Sequence, residues 1–80
     1  MASKMGTLTE YLAKALVDEP DEVRVEERDD DGRVVVHLDV AESDFGRVIG
    51  RNGRVATALR SLLKVAAIRE DRRASLEIGD

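Results

Sequence analysis

Apolar residues recur along this chain with two different periods, and the places where the period changes divide it into elements. Leu8, Tyr11, Leu12, Ala15 and Leu16 follow one another at helical spacing and predict a helix from Thr7 to Val17. Thr7-Leu8-Thr9-Glu10 has the spacing of a capping box, in which hydroxyl and carboxylate each satisfy an orphan backbone N–H. Residues 1–6 are expected to form a flexible tail, with residues 7–80 as a single domain. Asp18-Glu19-Pro20-Asp21 ends the helix, because proline offers no N–H and biases the residue before it away from helix. The period then changes to two. Val23 and Val25 alternate with charged residues, and Val34, Val36, Leu38 and Val40 alternate with Val35, His37 and Asp39. Asp30-Asp31-Gly32 between these runs predicts a hairpin turn, with Gly32 free to take a positive φ. Glu22, Glu26 and Glu27 assign the outer face of the first strand to solvent.

Helical spacing returns after Val40. Ser43 or Asp44 is placed to cap a short helix from Asp44 to Ile49, and the glycines of Gly50-Arg51-Asn52-Gly53 interrupt it. A longer helix is predicted from Gly53 to Arg69, with Val55, Leu59, Leu62, Leu63 and Ala66 on its core-facing stripe. Ala74, Leu76 and Ile78 alternate as a last short strand. The order is αββααβ, which makes an α+β domain: a three-stranded sheet with three helices packed on one face.

Eighty residues leave little room for an enclosed catalytic cavity beside the core. No apolar run is long enough to span a membrane, and Met1 to Met5 lacks the apolar segment of a secretory signal. The absence of cysteine excludes disulfides and thiolate metal sites. The expectation is a cytoplasmic protein.

The net charge of −4 is misleading, because the charge is segregated. Residues 1–45 carry five basic and thirteen acidic side chains. Residues 46–73 carry eight basic side chains against Glu70 and Asp71, and no acid at all lies between Phe45 and Arg69. Such a block is the footprint of a polyanion site on an otherwise acidic molecule. At its centre stands Arg47-Val48-Ile49-Gly50-Arg51-Asn52-Gly53-Arg54-Val55. Two glycines three apart let the chain reverse without Cβ atoms obstructing a ligand. The turn also exposes the N-terminus of the long helix, where unpaired N–H groups favour a phosphate, and Arg47, Arg51 and Arg54 flank it.

Val48-Ile49-Gly50-Arg51-Asn52-Gly53 resembles the helix-GxxG-helix signature of the KH domains, and the αββααβ order resembles their type II form. The run Arg47 to Arg60 is similar to the small stand-alone KH proteins of bacteria, and the likeness extends from Leu8 to Ile78. It implies a groove that grips about four nucleotides of single-stranded RNA, with the GxxG loop clamping the backbone. By the same resemblance Gly46 and Ile49, one helical turn apart, face that groove, so Gly46, Arg47, Ile49, Gly50, Arg51, Asn52, Gly53 and Arg54 are the RNA-binding candidates. It further implies self-association, pairing with a larger KH-containing protein, and a role in RNA chaperoning and the control of cell shape, elongation and division.

Composition points the same way independently. Tyr11 and Phe45 are the only aromatic residues, so the stacking platforms of other single-strand binders are not open to this chain. Backbone clamping over an aliphatic floor remains, and its affinity from one domain is modest and salt-sensitive. A second domain is therefore expected. Thr57, Ser61, Lys64, Val65 and Ile68 lie off the core stripe of the long helix and form a possible dimer face. No cofactor, metal or small-molecule substrate is expected: His37 is a lone histidine in a strand, and Asp29-Asp30-Asp31 belongs to a hairpin tip. A P-loop is excluded because Arg54-Val55 follows Gly53 where Lys-Ser/Thr is required. Two alternatives are a helix-turn-helix DNA reader, which Val55, Ala56 and Ala58 equip poorly for base edges, and a KH-fold module for protein interaction.

Overall fold

The computed structural model describes residues 4–79 of the chain. Helix α1 spans Lys4–Leu16, a 3₁₀ turn spans Pro20–Glu22, and strands β1 (Arg24–Asp30) and β2 (Arg33–Asp39) follow. Helix α2 then runs Glu42–Arg69, and strand β3 (Arg73–Ile78) closes the chain. The sheet is mixed: its order is β1-β2-β3, with β1 antiparallel to β2 and β2 parallel to β3. The hairpin is the tight one that its sequence predicts. Asp30 pairs with Arg33, and Asp31 and Gly32 between them take φ of 55° and 87°, the two left-handed residues of a type I′ turn.

Alternation along β2 sorts the sheet into two faces. Val34, Val36 and Leu38 lie in register with Asp29, Glu27 and Val25 on one side and with Ala74, Leu76 and Ile78 on the other. That face meets the helices through Met5, Ala13, Val23, Leu59, Leu63 and Ala67 in one continuous core. The opposite face carries Arg24, Glu26 and Arg28 beside His37 and Asp39, with Ser75 and Glu77 on β3. Ions cover it. Arg28 and Glu77 pair across β2 at 3.6 Å, and His37 stands between Asp39 and Glu77 at 3.5 Å from each.

The helical segment after β2 is continuous in hydrogen bonding but not straight. Gly53 lies within it at φ 66°, a conformation that no right-handed helix contains. A straight helix of 28 residues measures about 42 Å at 1.5 Å per residue, which exceeds the 34 Å longest dimension of the molecule. The segment therefore consists of two arms that meet at the glycine turn, and counting them separately gives αββααβ, the type II arrangement of a KH domain.

Local details depart from the sequence-based expectations, each for a physical reason. Residues 4–6 of the expected tail belong to α1, which begins at Lys4 and buries Met5 fully in the core; residues 1–3 lie outside the described residues. The capping box does not form, because the helix starts before it. Thr9 sits in the second turn, buried, and its hydroxyl donates to the Met5 carbonyl at 2.8 Å. An early orphan amide of α1 is satisfied instead by a distant strand: Gly6 N–H donates to Glu27 Oε1 at 2.8 Å. Glu27 thus belongs to the helix face of β1 and not to the solvent face. The buried stripe of α1 runs through Met5, Thr9 and Ala13, leaving Tyr11, Ala15 and Leu16 exposed. On α2 the buried stripe is Ala56, Leu59, Leu63 and Ala67, so Leu62, expected in the core, is 46% exposed.

Candidate functional site

The first arm of α2 is positioned by a buried carboxylate. Ala41 occupies the N-cap and makes no side-chain bond, so neither Ser43 nor Asp44 caps the helix. Asp44, 1% exposed, reaches away from its own helix instead. Its Oδ1 accepts the Asp18 N–H at 3.0 Å and its Oδ2 accepts the Glu19 N–H at 2.9 Å. Those amides belong to the corner that follows α1, so one side chain ties the end of α1 to the start of α2. The next residue, Phe45, ties the same arm to the end of β3: its ring lies where a Cβ at Gly79 would stand, and Gly79 N–H donates to the Leu38 carbonyl at 2.9 Å. Val48 is buried one turn on. Asp44, Phe45 and Val48 thus anchor the first arm.

The glycines of this arm leave its surface open. A Cβ built at Gly46 meets nothing within 4 Å, and the same holds at Gly53, which needs its glycine for the positive φ and not for space. Gly46 is exposed, as the groove position assigned to it requires, and Arg54 is exposed beside Gly53. The backbone of residues 47–52 is helical, whereas the side chains of Arg47, Ile49, Arg51 and Asn52 and the surroundings of Gly50 lie outside the described residues.

Beyond the turn the second arm presents two exposed surfaces. One is apolar: Leu62, Val65 and Ile68 are 46%, 52% and 67% exposed. Thr57, Ser61, Lys64, Val65 and Ile68 of the expected dimer face are all exposed, and Leu62 joins them. The residue pattern hid Leu62 because its spacing from Leu59 and Ala66 fits the core stripe as well as the surface. The other surface faces β3. A groove of about 590 Å³ runs between the arm and the strand, lined by Arg33, Arg60, Lys64, Arg72 and Arg73 over Leu63, Ala67, Ala74 and Leu76. The arm ends in a Schellman motif: Arg72 N–H donates to the Ala67 carbonyl at 2.8 Å and Asp71 N–H to Ile68 at 3.0 Å, with Asp71 at φ 56°. This tight stop turns the chain straight into β3, so the arm and the strand stay side by side.

A three-stranded mixed sheet, helices on one face and a glycine turn inside the crossover between parallel strands define a KH domain of the type II order. The model of the KH domain of KhpA/KhpB matches residues 7–78. The chain is 50% identical over 76 residues to the RNA-binding protein KhpA of Halalkalibacterium halodurans, covering 95% of this chain and 100% of that one. It is 47% identical to the RNA-binding protein KhpA of Treponema pallidum over the whole of both chains. Among solved structures, Aquifex aeolicus Era bound to GDP.AlF4- superposes with a TM-score of 0.62 at 19% identity, over 92% of this chain and 29% of that one, a likeness of fold. The chain belongs to the KhpA/KhpB family of KH domains. These relatives are RNA-binding proteins by name.

Proposed function

We propose that this protein binds single-stranded RNA, clamping the sugar-phosphate backbone at the Gly50–Gly53 turn. Arg47, Arg51, Asn52 and Arg54 are the phosphate contacts, and Gly46 and Ile49 form the floor beneath the bases. One observation carries this: the turn sits inside the acid-free stretch from Phe45 to Arg69, with Gly46 and Gly53 open to an approaching strand. Kinship with proteins named as RNA-binding supports the choice of polymer. The test is fluorescence anisotropy with a labelled single-stranded RNA. Arg51→Asp with Asn52→Asp is expected to abolish binding without loss of helical signal, and retained affinity refutes the clamp. Double-stranded DNA of the same sequence serves as the competitor that a helix-turn-helix reader would prefer. Near the start of the second arm, Ala56 and Leu59 are buried, which leaves few groups for a major groove.

The working unit in this proposal is a pair of KH domains, because one clamp neutralises few phosphates. Leu62, Val65 and Ile68, with Thr57, Ser61 and Lys64 around them, supply the association face, either for a second copy or for a larger KhpB-like partner. Ile68→Glu is expected to shift the mass measured by light scattering to that of a monomer, and an unchanged oligomer removes this face from consideration. The resemblance to the stand-alone KH proteins extends the role to RNA chaperoning in the cytoplasm and to control of bacterial cell shape, elongation and division. Growth and cell length after deletion of the gene test that part.

A further inference from the structure

We infer that the free edge of β1 is a docking site for a protein partner, which lays an extended, lysine- or arginine-rich segment alongside it as a fourth strand. β1 stands at the margin of the sheet and pairs with β2 alone. The tight turn at Asp31-Gly32 makes Asp30 and Arg33 the hydrogen-bonded pair that closes the hairpin. Alternation from there directs the N–H and C=O of Arg28, Glu26 and Arg24 toward β2. Those of Val25 and Asp29 point the other way, toward the open edge. Among the described residues, the elements packed against β1 are β2 and α1, and α1 lies over the face that carries Val25 and Glu27. Sheet edges are ordinarily blunted by shortness, proline or a bulge. β1 has seven residues and no proline, and its register with β2 is unbroken from Arg24 opposite Asp39 to Asp30 opposite Arg33. Its remaining protection is charge.

That charge selects the occupant. β1 holds Glu26, Glu27, Asp29 and Asp30 against Arg24 and Arg28, with Asp21, Glu22 and Asp31 at its two ends. Both arginines are engaged within the chain. Arg24 donates to the Asp21 and Val23 carbonyls at 2.9 and 3.1 Å, and Arg28 reaches across β2 to Glu77 at 3.6 Å. Among the described residues, Glu26 and Asp30 make no ion pair, so the outer face of the edge keeps its negative charge. An RNA strand is repelled there, and so is a second copy, whose β1 carries the same excess of acids. A basic segment is attracted. In an added strand every second side chain lies on the outer face, with its Cβ about 4.5–5.5 Å from that of Glu26 or Asp30. Main-chain bonds to Val25 and Asp29 then hold the segment, and its cations determine which segment is held. α2 packs chiefly against β3 and α1, so a partner on β1 leaves the glycine turn uncovered.

The probe is a fluorescent peptide of alternating lysine and threonine, matched in length to the seven residues of β1. It is titrated into the full chain at low salt, with binding read by anisotropy and by amide hydrogen exchange in nuclear magnetic resonance spectra. Exchange is expected to slow at Val25 and Asp29 and to stay unchanged at Glu26 and Arg28, whose amides already face β2. The same peptide with glutamate in place of lysine is expected not to bind. Glu26→Lys with Asp30→Lys, both at exposed positions, is expected to weaken the lysine peptide about tenfold or more. The exchange pattern is read on the wild type, so it stands whatever the variant does to folding. Equal binding of the two peptides overturns the inference, as does protection that fails to alternate along β1. Val25 and Asp29 amides that are protected in the free protein and lose protection on dilution place a second copy on the edge and refute the basic partner. A labelled single-stranded RNA that protects the same two amides refutes it as well.

Discussion

Replacing Asp44 with alanine tests whether a single carboxylate docks the first arm of α2. The side chain is 1% exposed and both its oxygens are engaged, by the Asp18 and Glu19 amides at 3.0 and 2.9 Å. A hydrogen bond to a charged acceptor contributes about 1.5–3 kcal/mol, and two such bonds are lost together. Relief of the carboxylate's own desolvation offsets part of this, so the net cost is about 3 kcal/mol. A domain of this size has about 4–12 kcal/mol of stability, so the variant remains folded, which makes the measurement possible.

Thermal and urea unfolding followed by far-UV circular dichroism give the value. At about 4–8 °C per kcal/mol for a domain of this length, the midpoint falls by about 12–24 °C. Asp44→Asn separates hydrogen bonding from volume: one oxygen still accepts, while the amide NH₂ faces a backbone N–H, donor against donor. It is expected to fall between wild type and Asp44→Ala. If Asp44→Ala lies within about 0.5 kcal/mol of wild type, the corner amides are satisfied without the carboxylate and the docking role is refuted.

Other substitutions probe the turn and its supports. Asp71→Gly removes a non-glycine residue from φ 56° and an acid from a helix C-terminus, and is expected to raise stability by about 1 kcal/mol in the same melts. Gly53→Ala meets no neighbour but retains the positive φ, so it costs about 1–2 kcal/mol, and Gly53→Asn costs less. Gly46→Ala distinguishes stability from binding: in an open helical position it stabilises the free protein by about 0.5–1 kcal/mol, yet it lowers RNA affinity if the groove lies there. Gly79→Ala puts a Cβ into the Phe45 ring at φ 86° and costs about 3 kcal/mol, measured by urea unfolding.

Element order and the hairpin were legible in the residues because each rests on a local signal. Period two against period 3.6 separates strand from helix, and Asp31-Gly32 specifies its own turn. Contacts between distant segments were not legible. Thr7 to Glu10 carries a capping box in its residue types, yet the helix begins three residues earlier because Met5 has a core to enter and Glu27, twenty-one residues away, accepts the Gly6 amide. Asp44 has the identity of a cap and the position of a third helical residue, and only the fold brings Asp18 and Glu19 to it. Leu62 shows the limit of periodicity, since a stripe read at 3.6 residues per turn has two margins and the packing of α1 and the sheet decides which is covered. For the candidate site the glycines and the flanking arginines were visible as a string. The groove along β3 was not, because Arg33 comes from the hairpin and joins Arg60 and Arg73 only through the parallel pairing of β2 with β3.

The ion pairs explain how an acidic chain keeps a basic groove available. Most acids lie on β1, the hairpin and the corner after α1, and the cations nearest them are engaged: Lys14 with Glu10 at 3.2 Å, Arg28 with Glu77, Arg72 with Asp29. Each of these pairs is exposed and adds little to stability. Their consequence is electrostatic, since they neutralise three cations and leave Arg33, Arg54, Arg60, Lys64, Arg69 and Arg73 without an ion pair among the described residues, while Arg24 is held only by the Asp21 and Val23 carbonyls. A polyanion is repelled by the acids of β1 and the hairpin and attracted toward the acid-free second arm of α2. On the proposed function this fixes orientation before any base is touched. Reversing one acid outside the groove, as in Asp21→Lys, is then expected to raise the association rate at low salt while leaving the dissociation rate unchanged. Stopped-flow fluorescence at two ionic strengths measures both rates. A change confined to dissociation contradicts steering and places the acids in direct contact with the strand.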